Sequence, residues 1–498
     1  MPNLVLGIDI GTYSSKGVLV DCETGSLIQS FVVEHSMDIP YPGWAEQDAD
    51  KVWWTDVVII CRNLINTRKY SAEDIAGVAF SAIGPTLVPL DVFDHPLRPG
   101  ILYGVDTRAN KEIDFLNQSI GEASIYNFSK MALSSQAVGP KILWLKRNEP
   151  EIWAKTHHIT TASSYLVLRS TGEKVMDRHT ASYYMPLMDP TRLEWSDKYS
   201  SEIADLSLLP RLDWSDKIAG FITSKAANET GLKVGTPVAV GAVDALSEAI
   251  SVGATSVGDL MIMYGSTTFF ILVLDRIIPD RRTWATAGAF SGQYNLAAGM
   301  ATSGSLTRWF RDEFTRDIPL SDSYDYLFRA SENIPAGSNG LLLLPYFSGE
   351  RTPINDPKAR GIIAGLTLSH TREHVFRAIL EGVAYGIRHN VETFQNMGAP
   401  IKRIIAVGGG TKSEIWPAIV SSVCGISQIV PKLTIGASYG DAFLAGLASG
   451  VLQHDDIHRW VKTGKEVMPN LSSKAIYDNY YQLYKDLYEN TRDLIHEL

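Results

Sequence analysis

Short apolar runs of strand length alternate along this chain with longer stretches at helical spacing. Residues 4–10 read Leu-Val-Leu-Gly-Ile-Asp-Ile, an apolar run that predicts a buried strand. Gly11-Thr12 marks a turn, and the run resumes at Gly17-Val-Leu-Val-Asp21. The chain therefore opens as a hairpin whose tip carries Gly, Thr, Tyr, Ser, Ser and Lys. Residues 75–80 and 87–92 predict further strands of the same half, with a helix before them that holds Trp53-Trp54 and Ile59-Ile60. The segment from Leu260 to Asp275 repeats the opening plan: an apolar strand, a Gly-hydroxyl turn at Gly265-Ser266-Thr267, and an apolar strand ending in Asp. Such a repeat is what an internal duplication leaves. It predicts two similar halves that meet near 240–250, after the Gly235-Thr-Pro237 turn.

In the second half, Val375, Ile379, Val383, Ile387, Val391 and Phe394 fall at helical spacing. Residues 403–407 predict a strand that runs into Gly408-Gly409-Gly410. Tyr477, Tyr481, Tyr484 and Tyr488 recur every three or four residues, an aromatic stripe that predicts packing rather than a ligand site. Strands and helices alternate in both halves, so the fold class is α/β.

Composition narrows the function. The 498 residues exceed one small domain, and 45% apolar with 20% charged residues is ordinary for a globular protein. The 55 acids against 45 Lys and Arg give a net charge of −10 without a long basic run, which argues against nucleic acid and anionic membrane as partners. Cys22, Cys61 and Cys424 are far apart and outside any CxxC spacing, so neither a disulfide framework nor a zinc site is expected, and the compartment reads as cytoplasmic. No segment approaches the ~18 uninterrupted apolar residues of a membrane span.

Several residues could carry chemistry. Asp9 interrupts an apolar strand, and a buried carboxylate needs a cation or donors; Mg²⁺ is one candidate, the turn amides of Gly11-Thr12 the alternative. The tip Gly11-Thr12 with Ser14-Ser15-Lys16 offers backbone N–H groups, hydroxyls and one ammonium to an anion, and Gly265-Ser266-Thr267 offers a second. Two such loops could hold a polyphosphate between two domains. Gly408-Gly409-Gly410 permits close approach of a ligand, although neither the Walker A nor the Rossmann spacing is present. Asp244, at a strand end and helix start, is either an N-cap or a general base. Asp106 and Arg108 could grip polyol hydroxyls or form a surface turn. His157-His158 lacks a third ligand nearby.

The sequence resembles the FGGY carbohydrate kinases, and among them is most similar to the xylulokinases, over nearly the whole chain. The most specific piece is Gly361-Ile-Ile-Ala-Gly365-Leu366, with His374-Val375 and Ala378-Ile-Leu-Glu381 following. Asp9-Ile-Gly-Thr12 with Lys16, Trp44-Ala-Glu-Gln-Asp48, Lys141-Ile-Leu-Trp-Leu145 and Leu344 to Pro353 (LPYFSGERTP) also match. The resemblance implies an actin/Hsp70-like, ribonuclease H-like two-domain fold with an interdomain cleft, in which residues 1–244 hold the sugar and the first phosphate loop and 245–498 the nucleotide. It implies ATP and Mg²⁺ as cofactors, with Asp9 at the metal and Asp244 as the catalytic base. Ile83, Gly84, Asp106, Arg108 and Asp244 are the expected sugar contacts. Gly11, Thr12, Lys16, Gly265, Ser266, Gly304, Arg308, Gly409, Gly410 and Glu414 are the expected nucleotide contacts. A homodimer is a further expectation.

Ala82-Ile83-Gly84 stands where xylulokinases show Met-His-Gly, and Val138 stands where Pro, Ser or Thr is usual. Ile83 thus predicts an apolar wall in the sugar pocket and relaxed discrimination against a deoxy analogue. The expected reaction is ATP-dependent phosphorylation of a terminal hydroxyl of a small ketose, D-xylulose first, to D-xylulose 5-phosphate. Ribulose, a deoxyketose, erythritol or glycerol are the alternative acceptors. An actin-like ATPase switch without a sugar acceptor is the alternative class.

Overall fold

A computed structural model of the chain describes residues 3–65 and 70–498. Its first large sheet has the order 218–221, 237–239, 75–82, 4–10, 14–21, 27–34, with Ala242–Val243 added beside 75–82. The second has the order 284–287, 294–300, 268–274, 259–264, 403–407, 428–431, 463–467. In the first, Leu4–Ile10 runs antiparallel to Ser14–Asp21 and parallel to Ile75–Ala82. In the second, Asp259–Tyr264 runs antiparallel to Thr268–Leu274 and parallel to Arg403–Val407. The repeated strand–turn–strand plan of the sequence is therefore a repeated sheet topology, and the two-domain architecture is the actin/Hsp70-like one.

Each opening strand is central in its sheet and covered on both faces, which is why it reads as a continuous apolar run rather than an alternation. Leu4, Val5, Leu6, Ile8 and Ile10 are all buried, as are Leu260, Met261 and Ile262. The helix Arg372–Asn396 buries Ile379, Val383, Ile387, Val391 and Phe394 in the second core. The C-terminal helix Lys474–His496 adds Tyr477, Tyr481, Tyr484 and Tyr488 to the same core, so the tyrosine stripe is packing.

The two halves share a helical layer. Helix Asp244–Ser251 follows the first sheet, and helix Ala437–Ala448 crosses back from the second half onto it. A Cβ on Gly7 would stand 2.0 Å from the Ser438 carbonyl oxygen, and one on Gly440 would stand 2.0 Å from that of Ser247. Neither position tolerates a side chain, and this close approach fixes where Asp244 sits relative to the strand carrying Asp9. Asp441, fully buried in the crossing helix, accepts from Ser247 Oγ and pairs with Ser81 Oγ, both at 2.6 Å, and ties the layer to the sheet. Among the described residues no helix is long and apolar enough to cross a membrane.

Candidate active site

A cavity of about 340 Å³ opens between the halves. Asp9 reaches it from the end of the first strand, Asp244 from the first residue of helix Asp244–Ser251, and Glu248 from one turn further along the same helix face. Strand register places the neighbours of Asp9: Lys16 lies directly opposite on the hairpin and Ser81 opposite on the parallel strand. Ser81 Oγ donates to Asp9 Oδ1 at 2.9 Å. Lys16 Nζ donates to the Ile435 carbonyl.

Burial governs the electrostatics of this cluster. It pushes Asp9 up to about 6, against the opposing pull of Ser81 and Lys16. Burial, reinforced by the Asp9 charge, pushes Asp244 up to about 8 and Glu248 up to about 7. Lys16 is itself lowered by burial, with Glu248 and Asp9 opposing. Three carboxyl groups raised together, with one partly buried ammonium against them, form a site short of positive charge. Among the described residues no group of three His, Cys, Asp or Glu side chains is placed to enclose a metal ion. A divalent cation that keeps most of its waters, as Mg²⁺ does, would fit this donor set of Asp9, Asp244 and Glu248.

Tyr103 forms another wall. Its hydroxyl lies 3.3 Å from Thr12 Oγ1, and its carbonyl accepts from Lys141 Nζ at 2.9 Å. Lys141 is fully buried, and burial brings its ammonium down to about 7. The second half contributes Phe269, Trp284 and Arg351. Arg351 donates from Nη2 to the Met300 carbonyl at 2.7 Å and leaves its buried Nε without a protein partner.

Three expected sugar contacts do not line this cavity. The Ile83 side chain is 1% exposed, turned into the core of the first half, and absent from the cavity wall, while Gly84 and Pro85 beside it do line the cavity. Its backbone N–H pairs with the Ile10 carbonyl, continuing the sheet and directing the side chain inward. Asp106 and Arg108 also lie behind the wall. The Asp106 carboxylate accepts from the Ala45 N–H at 2.7 Å and from Arg108 Nε and Nη2 at 2.9 and 2.7 Å. Arg108 pairs further with Glu46 and lies over the Trp44 ring at 3.9 Å. The carboxylate and guanidinium are spent on each other, and they brace the loop that presents Tyr103.

A second cavity, of about 1010 Å³, gathers Gly265, Ser266, Gly304, Arg308, Gly409, Gly410 and Glu414, all seven of the nucleotide residues expected from the second half. The turn Gly265–Thr267 links the cavities, since Gly265 and Ser266 line the larger and Thr267 the smaller. The turn is held to the start of helix Gly304–Phe314 by Gly304 N–H to Gly265 O at 3.0 Å and Ser305 N–H to Ser266 O at 3.0 Å. A Cβ on Gly304 would stand 2.5 Å from the Gly265 oxygen. Gly11, Thr12 and Lys16 do not line this cavity. They sit on the first half beside Asp9, with Thr12 reaching Tyr103.

Sequence reasoning missed Tyr103, Gln136, His179, Tyr183, Trp284 and Arg351 as cavity residues. Arg351 stood within the quoted LPYFSGERTP segment and Tyr103 within the apolar stretch before Asp106, so both carried a signal.

Comparison with known proteins places this geometry. The N-terminal domain model of the FGGY family of carbohydrate kinases matches residues 4–251, and the C-terminal domain model matches residues 260–449. The chain is 29% identical to the xylulose kinase of Lactococcus lactis subsp. lactis, covering 99% of this chain and 98% of that one. It is 28% identical to the gluconokinase of Bacillus subtilis, covering 92% and 90%. The crystal structure of the xylulose kinase from Rhodospirillum rubrum superposes with a TM-score of 0.92 at 28% identity, covering 99% of this chain and 100% of that one.

Proposed function

Because the chain belongs to the FGGY family of carbohydrate kinases, we propose that it transfers the terminal phosphoryl group of ATP to a terminal hydroxyl of a small ketose, D-xylulose first, giving D-xylulose 5-phosphate. The observation that carries this reading is the position of Asp244, which faces a sugar-sized cavity joined through the Gly265–Thr267 turn to a larger, glycine-lined one. The similarity to xylulose kinases supports the choice of acceptor.

In this reading the sugar occupies the smaller cavity with its terminal hydroxyl against Asp244. The carboxylate accepts that proton as the oxygen attacks the phosphorus, and the bond to the leaving ADP oxygen breaks. The transition state of phosphoryl transfer is loose, so placement and charge neutralisation matter more than base strength. Asp9 and Asp244 would hold Mg²⁺, which would supply charge neutralisation on the phosphates. Lys16 adds a second cation opposite Asp9. The Gly265–Ser266 turn, Gly304 and the 408–410 glycines line the space for the nucleotide. Closure of the halves excludes water, which otherwise competes as the acceptor.

Gly409 gives a direct test of the nucleotide site. A Cβ there meets nothing within 4 Å, and its φ lies outside the left-handed region. Gly409→Leu is therefore expected to fold with an unchanged melting temperature while the side chain fills the larger cavity. The KM for ATP should rise ~10–100-fold with little change in the KM for the sugar. An unchanged ATP KM would move the nucleotide elsewhere.

The function itself is tested by ADP release with Mg-ATP and a panel of D-xylulose, D-ribulose, D-gluconate, erythritol and glycerol. The highest kcat/KM is expected with D-xylulose. ADP release at the same rate without any sugar would favour the ATPase switch instead.

A further inference from the structure

His179 reaches the sugar cavity from a short element without a hydrophobic period. The strand Val175–Asp177 turns into the one-turn helix Arg178–Ala181, where Asp177 Oδ1 accepts from the Thr180 N–H at 2.8 Å. That turn carries the imidazole to the contact between the halves. The ring is 3% exposed and lines the cavity that holds Asp244.

The tautomer of the ring follows from its surroundings. Nδ1 lies 2.9 Å from the Ala287 carbonyl oxygen, on the strand Trp284–Ala287 of the second half. A carbonyl oxygen only accepts, so Nδ1 carries the proton. Thr286 Oγ1, at 3.1 Å, serves as a second acceptor. The Asn295 amide nitrogen Nδ2 lies 3.4 Å from Nδ1, a longer contact than the one to the Ala287 carbonyl, which sets the tautomer. Burial brings the imidazole down to about 4, so the ring is neutral near pH 7. Neutral and protonated at Nδ1, it carries a lone pair at Nε2. Among the described residues Nε2 has no protein partner.

The neighbouring wall makes that lone pair selective. Phe269, Ile271, Trp284 and Ala297 give the same cavity an apolar wall, and Phe269 stacks on Trp284 with ring centroids 6.2 Å apart. A group that comes to rest against Nε2 must bring an O–H or N–H, because a carbonyl or carboxylate oxygen would set lone pair against lone pair. Building on the kinase reading above, we propose that His179 is a specificity-determining residue whose Nε2 accepts a hydrogen bond from one hydroxyl of the sugar. Its ring is oriented by the second half, so the acceptor is aimed only when the halves are together.

Two variants separate the two ring nitrogens. His179→Asn keeps a donor for the Ala287 carbonyl and loses the group facing the cavity. His179→Gln places an amide oxygen near the position of Nε2. Both are assayed with the best acceptor of the panel and with each of its monodeoxy analogues, after a melting temperature has shown that they fold. His179→Asn is expected to lower kcat/KM for the full sugar ~10–100-fold, mostly through KM. For one analogue, the one lacking the bound hydroxyl, the same substitution should cost less than ~3-fold. His179→Gln should recover at least ~5-fold of the loss with the full sugar. An equal loss across every analogue, or no loss at all, in an enzyme whose wild type is active would overturn the assignment and leave the kinase reading intact. A wild type that releases no ADP with any sugar of the panel would overturn both.

Discussion

Asp244→Asn should lower kcat for sugar phosphorylation by as much as about 10⁴-fold, the upper range for loss of a general base. The amide keeps the size of the side chain, and its oxygen can still accept from the Ala245 N–H, as Asp244 Oδ1 does at 2.7 Å. It cannot take the proton of the attacking hydroxyl. Affinity for metal-free ADP should change less than ~3-fold, because the larger cavity is lined without Asp244. The substitution also removes one of three carboxyl groups held above their usual range by burial, to which the Asp9 charge adds at Asp244 and Glu248. The variant should therefore be at least as stable as the parent near pH 8. The checks are steady-state kinetics with the best sugar, ADP binding by calorimetry, and a melting curve. Near-normal turnover in the purified variant would remove Asp244 from the role of base.

Glu381→Ala should cost about 3–5 kcal/mol of stability, the range for removing one partner from a buried ion pair. Glu381, in the helix Arg372–Asn396, is 1% exposed. It accepts from Arg377 Nε and Ser338 Oγ, both at 2.9 Å, and from the Gly337 N–H at 3.2 Å. Arg377 continues the network to the Tyr477 hydroxyl at 2.9 Å and the Ser331 carbonyl at 3.1 Å. Removal of the carboxylate strands a guanidinium in the core of the second half and frees the 337–338 turn. None of these residues lines either cavity, so kcat per folded molecule should be preserved. Urea denaturation should show a lower midpoint with an unchanged slope. A loss of kcat without a loss of stability would mean that the most family-specific stretch of the sequence serves the reaction directly instead of the core.

Sequence alone determined the features whose physical cause is local. A covered central strand must be apolar along its length, so Leu4–Ile10 and Arg403–Val407 were legible with the bounds the structure shows. The repeated hairpin plan foretold the repeated sheet, because register and turn chemistry are short-range properties. A carboxylate inside an apolar strand has to face something polar, which singled out Asp9. Gly304 of the larger cavity was expected only through the family resemblance, and there the Gly265 carbonyl leaves no room for a side chain. Tertiary structure alone decided which way the residues near the sugar cavity point. Asp106 and Arg108 are suitable types for gripping hydroxyls, yet they are consumed by each other and by Ala45 and Glu46, the latter two about 60 positions earlier in the chain. Ile83 follows a strand end, and the packing of the first core turned it inward. His179 sits on a single helical turn that carries no period, and its partner Ala287 lies 108 positions away on the other half. The orientation of a side chain in a turn, and the proton it carries, depend on groups that only the assembled halves bring within reach, and a pattern read along the chain does not contain that distance.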